Sequence, residues 1–147
     1  MLKTKIGYST LKDSFAQGKE TAKNATTSMR PKLGMLYCSC LNDVEETIRG
    51  AKTYMKGAPI IGCTSSGMIM TNDGIITSED GFSGMMTFDD RNLKVGVASH
   101  KAGKNAREIG RKVARAAVEN AGENYSPNYF YMVASPKEEE DYLMGIQ

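Results

Sequence analysis

Residues 33–67 read LGMLYCSCLNDVEETIRGAKTYMKGAPIIGCTSSG, and this stretch decides the fold. Leu33 to Cys38 is a short apolar run of strand length. Asn42-Asp43-Val44-Glu45 is a capping-box pattern. It opens a helix whose inner stripe is Val44, Ile48, Ala51 and Met55. Lys56-Gly57 closes that helix, with Gly57 placed for a left-handed C-terminal conformation. Pro59 to Cys63 is a second apolar run. Strand, helix and strand in this order favour parallel strands joined by a right-handed crossover.

The pattern extends upstream. Lys3 to Tyr8 reads as a first strand. Ser14 to Met29 reads as a helix, because Phe15, Gly18, Ala22, Ala25 and Met29 recur three and four apart. Asp13 is its expected N-cap. Arg30-Pro31 is its expected stop, since a residue before proline avoids the helical region.

Downstream the character changes. Asn72-Asp73-Gly74 lies between two β-prone runs within Gly67 to Thr77, a strong hairpin signal. Phe82, Gly84, Met86 and Phe88 alternate with Ser83, Met85 and Thr87, as in a strand with two unlike faces. Asp89 to Asn92 is a turn, and Leu93, Val95 and Val97 alternate as a further strand. This block is expected to be antiparallel. Asn105-Ala106-Arg107-Glu108 is a second capping box. Its helix would carry Ala106, Ile109, Val113, Ala117 and Ala121 inward and end at Gly122. Tyr129 to Ala134 is the expected last strand, and Ser135-Pro136-Lys137-Glu138 the cap of a last helix. The prediction is an α/β (mixed α+β) fold: a mixed sheet of about six to eight strands with three main helices, a βαβαβ start and then antiparallel hairpins. Residues 1–135 are expected to form one domain. Residues 136–147 would begin a helix leading into a further C-terminal region, because the chain stops at Gln147 soon after that helix starts.

Composition narrows the function. A chain of 147 residues suits one domain with a real core. The net charge is +2, Lys and Arg are interleaved with acids, and the densest cluster, Lys137 to Asp141, is mostly acidic. Nucleic-acid binding needs a clustered positive face, so none is expected. No apolar run is long enough to span a bilayer, and the start Met1-Leu2-Lys3-Thr4-Lys5 leads into no signal-peptide core. Three cysteines are an odd count, which favours reduced thiols in a cytoplasm. A zinc site would need all three together with His100, so neither metal nor cofactor is expected.

Ala58 to Gly67 carries the chemistry. A buried strand runs into Gly62-Cys63-Thr64-Ser65-Ser66-Gly67. Glycines permit close backbone approach, consecutive N–H groups can form an anion-binding concavity, and hydroxyls both donate and accept. The alternative is a connection rich in turn formers. Several expected strands also end in hydroxyls: Ser9-Thr10, Ser39, Thr64-Ser65-Ser66, Ser99 and Ser135. Ligands in open α/β sheets bind outside the carboxyl ends of the strands. Candidate ligand-binding residues are therefore Cys63, Thr64, Ser65, Ser66, Gly67, Ser39 and Ser9. Catalysis has weaker support. Cys63 or Cys38 with His100 would be the pair to test, but Gly62 to Gly67 does not have the spacing of a nucleophile elbow. The Gly-rich pieces also lack the Gly-Lys-Ser/Thr of a P-loop. Tyr125, Tyr129, Phe130 and Tyr131 form an aromatic cluster, read mainly as packing.

The segment from Ala58 to Ile69 resembles the most characteristic motif of FIST N-terminal domains, an apolar run leading to Gly-Cys-Ser/Thr-Ser/Thr-small-Gly. Ile6 to Thr10, the Ala-rich helix and Leu33 to Tyr37 resemble the same family in order, over about the first 135 residues. The resemblance implies a sensory input domain of prokaryotic signal-transduction proteins, binding a small ligand such as an amino acid or carboxylate. It also implies a C-terminal FIST half or output domain as partner. Met68 stands where members often carry Glu. Two other readings stay open: a cysteine-dependent hydrolase or transferase using Cys63, and an interaction domain that pairs with the C-terminal half or forms a homo-oligomer.

Overall fold

The computed structural model describes residues 1–122, 127–134 and 138–147. It divides into two compact units, Met1–Leu93 and Lys94–Gln147. The first unit runs β1 (Lys3–Ser9), α1 (Ser14–Thr26), β2 (Leu33–Ser39), α2 (Val44–Met55), β3 (Ile60–Ser65), β4 (Ile69–Thr71), β5 (Gly74–Ile76) and β6 (Ser83–Asp89). The second contains α3 (Ala106–Asn120) and α4 (Glu139–Ile146). The mixed α/β class is as expected, with six strands and four helices among the described residues.

Four strands form one sheet in the order β1-β6-β2-β3. β2 and β3 are parallel neighbours, as the strand–helix–strand pattern requires. β1 points the same way but is not adjacent: β6 lies between β1 and β2, antiparallel to both. β4 and β5 form the expected hairpin, with Thr71 paired to Gly74 across Asn72-Asp73.

Paired residues on neighbouring strands share a face. Gly7, Met85, Leu36 and Gly62 form one row. On that face Met85 and Leu36 are buried with Ala22 and Ala25 of α1 and with Ala51 and Met55 of α2. Gly7 lets α1 lie directly on β1, because a Cβ there would strike the backbone of Thr21 and Ala25. Thr87 of β6 donates to the Ala25 carbonyl, and the Thr21 and Ser83 hydroxyls meet at 2.7 Å.

α1 and α2 cross at glycines. A Cβ on Gly18 would run into the Thr47 carbonyl oxygen, and one on Gly50 into the Phe15 carbonyl oxygen. Arg49 lies over the Phe15 ring at 4.9 Å, adding a cation–π contact beside the crossing. The second unit repeats the device. Gly110 of α3 abuts the Tyr142 carbonyl, and Gly145 of α4 abuts the Arg107 carbonyl.

Several expectations need correction. α1 ends at Thr26, short of Met29, and Ser28 takes a positive φ of 63°. The turn therefore forms before Arg30-Pro31, and Met29 is buried from a loop. The α2 cap is Asp43, which accepts from the Glu46 amide, and Val44 at the head of its stripe is exposed. Gly57 and Gly122 have the positive φ expected of helix ends. Leu93 to Val97 and Tyr129 to Ala134 are not strands. Alternation defines two faces, but a strand exists only where a neighbouring edge completes its ladder, and the described sheets include neither segment. Tyr129 is 94% exposed, so it is not packing. Asn105 caps α3 as predicted, through the Glu108 amide. The expected Ser135-Pro136-Lys137 cap and Tyr125 lie outside the described residues, and α4 begins at Glu139 after Glu138.

Gly18→Val and Gly50→Val are expected to lower stability by at least about 1–3 kcal/mol, the usual cost of overpacking a tight contact. Urea unfolding at constant slope would register the loss as a lower midpoint. A wild-type midpoint for either variant would show that the crossing can open without cost.

Candidate functional site

The strand ends converge on one edge of the sheet. Register places Ser9, Ser83, Cys38 and Thr64 in one transverse row. Ser39 pairs with Ser65 one step further out. The loops beyond this edge are β1–α1, β2–α2, β3–β4 and β5–β6. The candidate hydroxyls of the first unit therefore do gather at the carboxyl ends of β1, β2 and β3.

They differ in what they do. Ser9 and Ser39 are each only 3% exposed. The Ser9 hydroxyl donates to Glu20 and accepts from the Leu11 amide at 3.2 Å. The Ser39 hydroxyl accepts from the Leu41 amide at 3.1 Å. Ser65 is half-buried and donates to the Met68 carbonyl at 2.8 Å, closing the turn that follows β3. Thr77 donates to the Gly67 carbonyl at 3.1 Å and fastens the turn from the hairpin side. Cys63, Thr64, Ser66 and Gly67 are exposed. Ser99 lies in the second unit, and Ser135 lies outside the described residues.

Beneath these loops is a polar network that the helical periodicity concealed. Gln17, Thr21 and Thr47 are fully buried. Asn42 is the hub: its amide nitrogen donates to the Gln17 side-chain oxygen, the Thr47 hydroxyl and the Phe82 carbonyl. Gln17 donates onward to the Leu11 carbonyl at 2.6 Å. Gly81, at φ 94°, makes room, since a Cβ there would strike the Asn42 side-chain oxygen. Two side chains thus tie three loops together. The Ser14 hydroxyl accepts from the Asp43 amide at 3.0 Å, joining the starts of α1 and α2. Lys12 and Asp80 pair at 3.2 Å across two of the same loops. Gln17 and Thr21 share a helical face with Gly18, Ala22 and Ala25, and that placement was the available signal for burial.

The thiols are not equivalent. Cys38 is buried, whereas Cys40 and Cys63 are exposed. Burial pushes the Cys38 thiol above its ordinary value, and neighbouring Cys63 adds to the effect. Cys38 is thereby held as a neutral thiol, unsuited to act as a nucleophile. Its side chain projects to the α1–α2 face, opposite that of Cys63, which pairs with Tyr37. His100 is exposed in the second unit, with Nδ1 2.7 Å from the Lys101 carbonyl. Among the described residues no group of three His, Cys, Asp or Glu side chains could hold a metal, and no helix is long and apolar enough to cross a membrane.

The FIST N domain model matches residues 32–147, most of the chain. The chain belongs to the FIST N domain family. FIST domains are sensory domains of signal-transduction proteins. The Gly62–Gly67 motif falls within the matched residues, as do the hub Asn42 and its neighbour Gly81. No curated protein matches this FIST N domain closely enough to count as a relative. Thiamine-monophosphate kinase from Stenotrophomonas maltophilia K279a, known from a crystal structure, is similar at 17% identity and a TM-score of 0.35. The match covers 76% of this chain and 40% of that one, so the FIST N domain spans under half of that protein's length. A likeness at that level carries no functional argument.

Two outcomes test this edge. Asn42→Ala is expected to cost about 1–3 kcal/mol, because it takes the Asn42 donor from the buried Gln17 side-chain oxygen; an unchanged urea midpoint would show that the network does not hold the loops. The second concerns pH. The folded Cys38 thiol has a raised pKa, so its contribution is complete below the ordinary value of 9.0 and is lost as pH rises through the folded value. Wild-type stability should fall more steeply than that of Cys38→Ala above about pH 9. Parallel curves would refute the burial argument.

Proposed function

We propose that this FIST N domain is an input module that binds a small polar metabolite, such as an amino acid or carboxylate, at the carboxyl edge of its sheet. The reading rests chiefly on one observation. Cys63, Thr64, Ser66 and Gly67 are exposed at the end of a parallel strand, on a turn braced by Ser65 bonding to the Met68 carbonyl and Thr77 to the Gly67 carbonyl. A braced turn presents its hydroxyls and amides in fixed directions, and preorganised donors bind small anions with little ordering cost. Ser65 acts in this reading through the shape of the turn. Ser39 acts by orienting the β2–α2 loop next to it, and Ser9 the β1–α1 loop further along the same edge. Met68, where members often carry Glu, removes an anion from the rim and favours an acidic ligand.

The domain would then signal by population shift. A ligand that prefers one arrangement of these loops biases whatever output is attached, by no more than its differential affinity for the two arrangements. The module does no chemistry of its own, and its partner is a C-terminal FIST half or output domain in a cytoplasmic, prokaryotic setting.

The deciding experiment is a thermal-shift screen against amino acids and small carboxylates, with Ser65→Ala in parallel. A ligand at 100 times its dissociation constant should add about 2.7 kcal/mol of stability. The shift should shrink in Ser65→Ala, whose turn loses the bond to Met68. A ligand that shifts both proteins equally would move the site away from this turn. Turnover of any hit, with loss of activity in Cys63→Ala, would replace the sensor reading with an enzymatic one.

A further inference from the structure

The two edges of the main sheet are treated differently. β1 forms one edge and β3 the other. β1 carries Lys3 and Lys5, and the Lys5 ammonium donates to the Thr27 carbonyl at 3.3 Å. Lysines on an edge strand are a recognised guard against strand addition. β3 reads Ile60-Ile61-Gly62-Cys63-Thr64-Ser65, with no charge and no proline within it. Among the described residues it forms a ladder with β2 alone.

Which groups β3 leaves free follows from the ladder. The Gly34 amide donates to the Pro59 carbonyl at 2.9 Å, and the Cys40 amide to the Ser65 carbonyl at 3.1 Å. In a parallel pair only alternate residues of each strand face the partner. With Gly34 in register with Ile60, the odd-numbered residues of β3 turn their amides and carbonyls to β2. Ile60, Gly62 and Thr64 turn theirs outward.

We propose that a second copy of this chain pairs on that edge, β3 against β3 in antiparallel register about a two-fold axis at Gly62. This register sets Ile60 opposite Thr64 of the second copy, Gly62 opposite its equivalent, and Thr64 opposite the second Ile60. All three are hydrogen-bonded pairs, each exchanging two N–H···O bonds, so every outward group of both strands is used. The strand is neutral, so its self-pairing meets no like-charge repulsion, whereas β1 pairing with itself would bring lysines together. Ile60 and Thr64 form a cross-strand pair of β-branched residues, a favourable combination. The contact is isologous and closed, so it makes a dimer with one continuous sheet and no open chain. It also brings the two Thr64–Gly67 turns of a dimer to the two ends of the same strand pair.

Sedimentation of the full chain over a concentration series tests this. The wild type should pass reversibly from monomer to dimer. Thr64→Pro removes an outward amide and leaves the β2 ladder intact, so it should weaken association by at least roughly tenfold, two symmetric bonds being lost. Thr64→Ala keeps that amide and loses only the side-chain pairing with Ile60, so it should weaken association less than Thr64→Pro does. Hydrogen exchange on the unmodified protein gives an independent readout: the Ile60, Gly62 and Thr64 amides should become protected as concentration rises, while those of Ile61 and Cys63 stay unchanged. A wild type that remains monomeric, with concentration-independent exchange at these amides, would overturn self-pairing and leave the edge to a strand of another protein. A folded Thr64→Pro that dimerises as tightly as the wild type would overturn it as well.

Discussion

The contact on which the first unit depends is the crossing of α1 and α2 at Gly18 and Gly50. Two helix backbones meet there without side chains between them. At that separation the spacing is set by backbone van der Waals contact, with weak C–H···O interactions available. Two consequences follow. The small residues Ala22, Ala25 and Ala51 can fill the space between helices and sheet, leaving the larger volume to Met55, Met85 and Leu36. The helix starts are also drawn together, so that Ser14 of one accepts from Asp43 at the cap of the other. The loops that carry the candidate site are neighbours because the glycines allow it.

A polar network beneath the candidate edge is a costly choice, since buried polar groups must be satisfied in full. Among the described residues, no buried side-chain nitrogen or oxygen lacks a partner. Asn42 and Gln17 achieve this by bonding to backbone carbonyls of the neighbouring loops. The cost is offset by direction: a loop held by a carbonyl bond keeps its orientation, where one held by apolar contact can slide. The turn after β3 is held in the same way by its own carbonyl bonds, from Ser65 to Met68 and from Thr77 to Gly67.

Much of the candidate edge was legible before any tertiary information. The apolar run of β3, the caps at Asp13 and Asn105 and the Asn72-Asp73-Gly74 hairpin are local signals that the structure reproduces. Ser9 and Ser39 were recognised by their place at strand ends, but not by their partners Glu20 and Leu41, which the fold supplies. Asn42 was read as part of a capping pattern. Its role as hub depends on Gln17, Thr47 and Phe82, which are far from it in sequence or fixed on other elements.

The chain's own pattern established the class of fold, the three long helices, the parallel pair β2–β3 and the family, because periodicity and turn chemistry are properties of neighbouring residues. It did not establish that β6 would lie between β1 and β2, since the position of a strand in a sheet is a competition among edges that no single segment records. Nor did it show that Leu93 to Val97 and Tyr129 to Ala134 would stand outside the sheets. Both have the alternation of strands, but alternation describes what a segment offers, while a ladder needs an edge to receive it. The difference between the two edges of the sheet, lysines on β1 and a neutral row of outward amides on β3, belongs to the same category: the residues were always visible, and their meaning came from the order in which the strands assembled.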